Sequence, residues 1–459
     1  MKLRKNFIIT LSFFLATILL HAQESHQKSL AVTVYNQNLG VVKDVRELNI
    51  SSGISEIKLT DVAQFIDPTS VHIDIDGEVL EQNFQYDLVS MDKILKKYID
   101  KNIQLVGEKG EFIEGKLLSV NGFQIVLQKN DGGLLMLPSA GKYQISVESL
   151  PNGLITRPTL IWMVESQNSG KQDVKVSYQT SGMNWHAEYV VVLNKDDSKL
   201  DLNSWVSVEN KSGATYNNAK LKLVAGDVNL VKSNNYNQPQ YDRVYAAKSF
   251  KAEEQFSEKE FFEYHIYDLQ RKTTLANNET KQISLFEASD VSAKKKYFYG
   301  NRSSYYGGSR QSGKVSVIVE FENSEANNLS KPMPKGKVRV YKSDGDALEF
   351  IGEDLIDHTP KKEKVKLKIG EAFDIVVEDV QTENKKITNK VYEQTYEVTI
   401  TNRKKEDIVV DVERMLGFNW EVLSSSIKFE KKDSKTILFK VPVKADAKTV
   451  LKYKVRYVQ

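Results

Sequence analysis

The densest polar run in the chain is Glu353-Asp354-Leu355-Ile356-Asp357-His358-Thr359-Pro360, with Glu363 just beyond it. A histidine flanked by carboxylates has the makings of a general acid–base pair or a cation site. Imidazole exchanges a proton near neutral pH, and a carboxylate can orient it or share a metal. Asp357, His358 and Glu363 are therefore the candidate catalytic residues of an envelope hydrolase acting on polysaccharide or peptide. The same residues also read as a strand end entering a proline-containing turn, with Asp357 and Thr359 bonding to nearby backbone. Charged turn residues are ordinarily solvated, so the turn outweighs the site and no catalytic residue is assigned.

Other motifs carry less. Residues 308–314 spell G-x-x-x-x-G-K, the start of a phosphate-binding loop, but Val315 stands where a magnesium-binding hydroxyl belongs, and a strand follows where a helix is needed. Asp74-Ile75-Asp76-Gly77-Glu78 resembles part of a calcium loop without its remaining ligands. Alternation of His72, Asp74 and Asp76 with Val71, Ile73 and Ile75 predicts a strand running into a hairpin turn instead. His26, His72, His186, His265 and His358 are widely separated, so no metal is implied. No G-x-S-x-G elbow and no thiol offers a nucleophile, and no cofactor is indicated. Trp162, Trp185, Trp205 and Trp420 could stack on sugars, but in sandwich proteins such residues usually fill the core.

The elements that would position these residues are strands. Leu30, Val32 and Val34 alternate with Thr33 and Tyr35; Val365, Leu367 and Ile369 alternate with lysines; Leu451, Tyr453, Val455 and Tyr457 alternate with Lys452, Lys454 and Arg456. Such strands have one buried and one wet face. Turn signals punctuate them at Asp76-Gly77, Asn121-Gly122, Asp131-Gly132 and Asp344-Gly345. One helix interrupts, capped by Ser90, with Asp92 in its first turn and an apolar stripe of Met91, Ile94, Leu95 and Tyr98. Five short strands follow at about 102–106, 112–120, 123–128, 133–138 and 143–147, which predicts a small barrel of the SH3 or Sm type.

The expected organisation is mainly β, with several antiparallel sandwich modules. The divisions are 1–22, a signal peptide; 23–87, an N-terminal β module; and 88–150, the helix and small barrel. Then come 151–313, a central β domain with polar loops at 232–257 and 297–312, and 314–459, a C-terminal sandwich region. The last part of that region, from Val391, is expected to be immunoglobulin-like.

The chain opens with Lys2, Arg4 and Lys5, then an apolar stretch over 7–20, then His21-Ala22-Gln23. This is the pattern of an export signal cleaved after Ala22, and the stretch is shorter than the roughly 20 residues a spanning helix needs. The expectation is a periplasmic or secreted protein with no membrane span in the mature chain. Zero cysteines exclude a lipid anchor at the cleavage site and any disulfide. The leader holds three of the 64 basic residues and none of the 61 acidic ones, so the remainder carries 61 of each. A neutral protein has no global field to attract nucleic acid or anionic lipid.

Several stretches together carry a family resemblance. Tyr178-Gln-Thr-Ser-Gly-Met-Asn-Trp-His-Ala-Glu-Tyr189 resembles a Y-x-x-x-G-x-x-W-x-A-x-Y signature. Trp205-Val-Ser-Val-Glu-Asn-Lys-Ser-Gly213 and Ala219-Lys-Leu-Lys-Leu-Val-Ala-Gly-Asp-Val-Asn229 resemble the stretch that follows it. Pro332-Met-Pro-Lys-Gly-Lys-Val-Arg-Val-Tyr341, Asp357-His-Thr-Pro360 and Gly370-Glu-Ala-Phe-Asp374 complete the match. The pattern is similar to the bacterial exported family known as domain of unknown function 4139, to which proteins named mucoidy inhibitors also belong. The resemblance implies a β-rich exported protein and supplies no catalytic residues. The mucoidy inhibitors carry a long coiled coil where this chain has its helix and short strands, so no role in mucoid control is transferred. The reading that follows is a non-enzymatic binding or scaffold protein of the cell envelope, with a protein or glycan partner. The hydrolase is the alternative.

Overall fold

The computed structural model describes residues 26–226, 228–229, 255–301, 311–345, 347–417 and 419–458. The expected leader 1–22 and most of the expected loop 232–257 lie outside the described residues. The chain is mainly β, with separate sheets. It divides into two units, each built from non-consecutive stretches. The first takes the described residues up to Val32, Val41–Ser181 and Ser212–Ala219; the second takes Thr33–Gly40, Gly182–Lys211 and the chain from Lys220 onward. Among the described residues, no helix is long and apolar enough to cross a membrane.

In the first unit, strand Thr159–Ser166 lies between Gly53–Thr60 and Glu78–Gln85, antiparallel to both. Strand His72–Asp74 pairs instead with Gly170–Thr180. Asp76-Gly77 therefore joins strands of two different sheets and does not close the expected hairpin. Asp76 and Gly77 do bend the chain, but which strand pairs with which is decided far along it.

The same unit holds helix Met91–Lys97 and a five-stranded sheet in the order Tyr143–Ser146, Asn102–Gly107, Phe112–Asn121, Gln124–Lys129, Leu134–Leu137. The Ser90 hydroxyl accepts from the Lys93 N–H at 3.3 Å, fixing the helix start, and Asp92 sits in the first turn. Leu95 and Tyr98 drop from the helix into a core of Ile103, Leu105, Leu117, Ile125, Leu127 and Leu137. The Tyr98 hydroxyl donates to the Ser149 carbonyl at 2.7 Å and accepts from the Ser149 N–H at 2.9 Å, tying the helix to the end of the module. Gly122 and Gly132 adopt φ of 57° and 85° in the two hairpin turns, where a side chain would be strained. Four strands run as a meander and the fifth returns to pair with the first.

The second unit is organised by one 13-stranded sheet. Its main path runs Ala347–Ile356, Gly336–Asp344, Met183–Leu193, Lys199–Asn210, Glu279–Asn301, Gln311–Glu322, Lys364–Lys386, Val391–Asn402, Ala447–Val458, Trp420–Ser425. Pairing in it is antiparallel except where Met183–Leu193 meets Gly336–Asp344 and where Glu279–Asn301 meets Ile408–Met415. Ile408–Met415 also pairs with Thr436–Val443, which pairs with Phe429–Lys431. Two strands of this sheet, Glu279–Asn301 and Lys364–Lys386, are 23 residues long each.

Two expectations change here. The strand Glu279–Asn301 continues through Tyr297 and Tyr299, and Gln311 already begins the next strand, so 297–301 and 311–312 of the expected loop 297–312 are strand, and 302–310 lie outside the described residues. Similarly, Phe256 and Ser257 open a strand, Phe256–Phe261. The sandwich expected from Val391 onward shares its core with earlier strands, since Tyr297, Tyr299, Val315, Ile375 and Val377 pack with Val398, Val410, Phe439 and Val455. Tyrosine, serine and glycine looked like loop composition, but tyrosines at alternate positions have strand period and bury their rings.

Candidate functional site: the aspartate–histidine turn and the buried polar groups

The Asp357-His358-Thr359-Pro360 turn links strands Ala347–Ile356 and Lys364–Lys386. Thr359 exchanges two backbone hydrogen bonds with Met333, at 2.9 and 2.8 Å, and its hydroxyl donates to the Asp357 carbonyl at 2.8 Å. His358 accepts the Lys335 backbone N–H on Nδ1 at 3.2 Å, while Nε2 lies 3.3 Å from the Asn36 side-chain amide. The Asp357 side chain is 91% exposed, with Lys335 Nζ 3.6 Å away. Glu363 is exposed and contributes its backbone carbonyl, which accepts from the Asn323 N–H at 2.8 Å.

Asn323, which the sequence reading passed over, is the centre of this region and is fully buried. Its Nδ2 donates to the carbonyls of Lys331 and Pro360 at 2.7 and 3.0 Å, and its Oδ1 accepts from the N–H groups of Ser330 and Lys331 at 3.0 and 3.2 Å. One side chain thus satisfies four backbone groups of two loops. A buried asparagine between an exposed Asn-rich loop and a proline turn leaves no periodic signal in sequence.

The family-like motifs meet in the same framework. The Tyr189 hydroxyl donates to the Pro334 carbonyl at 2.7 Å and the Tyr267 hydroxyl to the Pro332 carbonyl at 3.2 Å. Burial pushes both phenols upward, so both remain donors over the physiological range. The Trp185 indole donates to the Val224 carbonyl at 3.1 Å, and its ring meets Tyr267 edge-on at 6.1 Å. Beyond Pro334 the chain enters the parallel ladder at Gly336, where a Cβ would come 2.0 Å from the Ala187 carbonyl oxygen. Proline carbonyls, tyrosine hydroxyls, the His358 ring and this glycine together hold one backbone path.

A second polar centre lies inside the core of the second unit. Asp379 and Arg414 are buried, at 0% and 3% exposure, and Arg414 Nη2 donates to Asp379 Oδ2. The Tyr299 hydroxyl donates to the same oxygen at 3.0 Å, and the guanidinium lies 5.3 Å above the Tyr299 ring. Burial, reinforced by the Asp379 charge, pushes the Tyr299 phenol up to about 12. Asp379 Oδ1 and Gln381 Nε2 have no hydrogen-bond partner among the described residues. The sequence did hold a signal for this pair. Asp379 continues the inward positions Ile375 and Val377, and Arg414 continues Ile408, Val410 and Val412. A charge at an inward position of an alternating strand marks a buried pair.

In the first unit the signature residue Tyr178 is buried and accepts from the Ala63 backbone N–H. It bonds to Tyr216, whose hydroxyl lies 3.0 Å from Ser212 Oγ. Burial pushes Tyr216 up to about 12. In the same unit, Asp44 is 5% exposed and receives Arg46 Nε at 2.8 Å and Gln27 Nε2 at 2.9 Å.

The remaining motifs resolve simply. Gly313 and Lys314 lie in strand Gln311–Glu322, with Lys314 Nζ 2.8 Å from Glu371, while 308–310 lie outside the described residues. Asp74 pairs with Lys175 at 2.8 Å. Trp162 and Trp185 are buried, and Trp205 and Trp420 half-buried. Among the described residues, no three His, Asp or Glu side chains gather as a metal site.

The fold and these centres define a mainly β protein whose signature side chains brace backbone. Residues 174–457 match the family described as Domain of unknown function (DUF4139), which is more than half of the 459-residue chain. The chain belongs to that family. No curated protein matches it.

Proposed function

We propose that the protein is exported and works in the cell envelope as a non-enzymatic binding or scaffold protein for a protein or glycan partner. The leader pattern of Lys2, Arg4 and Lys5, the apolar stretch over 7–20 and then His21-Ala22-Gln23 supports export. The observation that carries the binding reading is Phe373, 95% exposed within Gly370-Glu-Ala-Phe-Asp374. Register shifts there leave residues 372–375 opposite Val315 alone, so the strand bows outward and presents the ring. Aromatic side chains held out on a braced strand act as anchors in binding surfaces. Of the three candidate side chains, His358 accepts the Lys335 backbone N–H, while those of Asp357 and Glu363 are exposed. Two experiments test this. Fractionation with N-terminal sequencing is expected to find the chain outside the cytoplasm beginning at Gln23; a cytoplasmic, uncleaved chain would contradict export. A photo-crosslinking residue at position 373 is expected to trap one defined partner in intact cells, and capture no greater than at buried Val377 would contradict the binding reading.

A further inference from the structure

Lysines gather on one face of the large sheet in the second unit. Strand Glu279–Asn301 pairs with Gln311–Glu322, which pairs with Lys364–Lys386. The ladder sets Lys294, Glu320 and Lys366 in one row across these strands, Lys296, Ile318 and Lys368 in the next, and Glu322 opposite Lys364. Directly opposed residues share a face, so all of them stand on one side. The alternate residues Ala293, Val319, Phe321, Val365 and Leu367 are buried on the other side. Five lysines thus stand against two glutamates, although the chain beyond the leader holds basic and acidic residues in equal number. Lys296 Nζ meets Glu320 at 2.8 Å, while Lys294, Lys364, Lys366 and Lys368 are exposed and form no ion pair among the described residues. Burial alone would raise the Glu320 carboxyl, but the Lys296 hydrogen bond and the charges of Lys296, Lys366 and Lys364 hold it below the usual value. The field of the lysines therefore reaches the middle of the face. Beyond these rows, Lys314 is paired with Glu371 at 2.8 Å, and Asp354 accepts the Lys368 backbone N–H at 2.7 Å.

We propose that this face binds an acidic polysaccharide, a linear polymer whose carboxylates meet the lysine ammonium groups. Alternate residues of a strand lie about 7 Å apart, so Lys364, Lys366 and Lys368 make a row about 14 Å long, with Lys294 and Lys296 about 10 Å away, two strands across. Charge laid out along lines suits an extended chain of repeated anions. Lysine is a compact point charge on a flexible stem, so it meets carboxylates without demanding one fixed geometry. Other polyanions call for groups that this face does not present. Single-stranded nucleic acid stacks its bases on exposed rings, and the ring here, Phe298 opposite Ser316, is half-buried. Binding to a lipid surface draws on apolar side chains that enter it, and Ile318 is half-buried.

This inference deepens the envelope reading by naming the chemistry of a glycan partner, and it rests on export for where that polymer is met. Binding is measured on the purified full chain, so a cytoplasmic location would contradict export and leave the binding result standing. Immobilised polygalacturonate is expected to bind the chain, and raising salt from about 50 to about 200 mM is expected to weaken binding at least about tenfold as counterions compete. Uncharged dextran is expected not to bind. Lys364→Gln, Lys366→Gln and Lys368→Gln combined are expected to weaken binding at least about tenfold, with the melting temperature kept near that of wild type. Lys109→Gln, Lys129→Gln and Lys142→Gln combined make the same change in net charge at exposed positions of the first unit, and are expected to bind like wild type. A wild type that does not bind polygalacturonate, a first triple variant that binds as well as wild type, or a second that loses as much as the first would each overturn the proposal. Tighter binding to phosphatidylglycerol vesicles or to oligothymidylate would overturn it too, and would assign the face to lipid or to nucleic acid.

Discussion

Arg414 neutralises a carboxylate that has no access to water, and the consequence of removing it is asymmetric. Arg414→Met leaves Asp379 charged in the core beside Tyr299 alone, and is expected to cost about 3–5 kcal/mol. Adding Asp379→Leu removes the stranded charge and is expected to recover most of that loss. Urea unfolding at neutral pH of the two variants and wild type checks both parts. A different dependence is expected at Asp197, which sits between Lys295 and Lys342. Burial alone would raise its carboxyl, but hydrogen bonds from both lysines outweigh that and hold it below the usual value. A carboxyl depressed in the folded state contributes stability above its unfolded value near 3.9, and loses it as pH falls through the lower folded value. Melting temperatures at pH 7 and pH 3 are therefore expected to differ more for wild type than for Asp197→Asn, with the variant already lower at pH 7. At this scale the sequence reading identified the right turn and missed its anchor. Asp357 and Thr359 were legible as turn residues, whereas Asn323 was not, because its importance lies in four backbone groups that only the fold brings to it.

Helix Met91–Lys97 has a start and a buried face legible from residues, because caps and periodicity are local, although Met91 of the expected stripe is exposed. With two turns only, it draws its stability from the Ser90 cap and from Leu95 and Tyr98 in the core below. Ser90→Ala is expected to cost about 1 kcal/mol and to speed hydrogen exchange in this helix before it affects Met183–Leu193. Uniform protection of the helix in that variant would show that the cap contributes little. Hairpins marked by Asn121-Gly122 and Asp131-Gly132 were equally legible, since turn and pairing lie within a few residues of each other. Asp76-Gly77 has the same composition and yet links two sheets, because Thr159–Ser166 and Gly170–Thr180 compete successfully for the flanking strands. Long-range pairing also explains why Tyr297 and Tyr299 were read as loop. Their partners Val410 and Val412 lie more than a hundred residues on.

At the scale of the whole molecule, charge on the C-terminal strand is balanced locally by its neighbours. The most basic strand, Ala447–Val458, sets Lys452 against Glu397 and Lys454 against Glu393 and Glu383, while Arg456 meets Glu393 and Glu421. Cross-strand pairing of this kind leaves no basic stripe there for a polyanion. Family membership and a mainly β architecture were readable from motifs and alternation, whereas the two interleaved units were not, because contacts and not order along the chain define them. What remains to be decided is whether the braced framework presents surface or performs chemistry. The most direct measurement compares partner capture in intact cells by two variants of the full chain. Asp357→Asn, His358→Gln and Glu363→Gln combined keep the hydrogen-bonding shapes of the turn and remove its acid–base capacity; this chain is expected to retain the partner trapped at the surface. Phe373→Ser removes the exposed anchor and is expected to lose it, with both proteins present at wild-type level. Loss of capture in the first variant with retention in the second would contradict the account and point to chemistry at the turn.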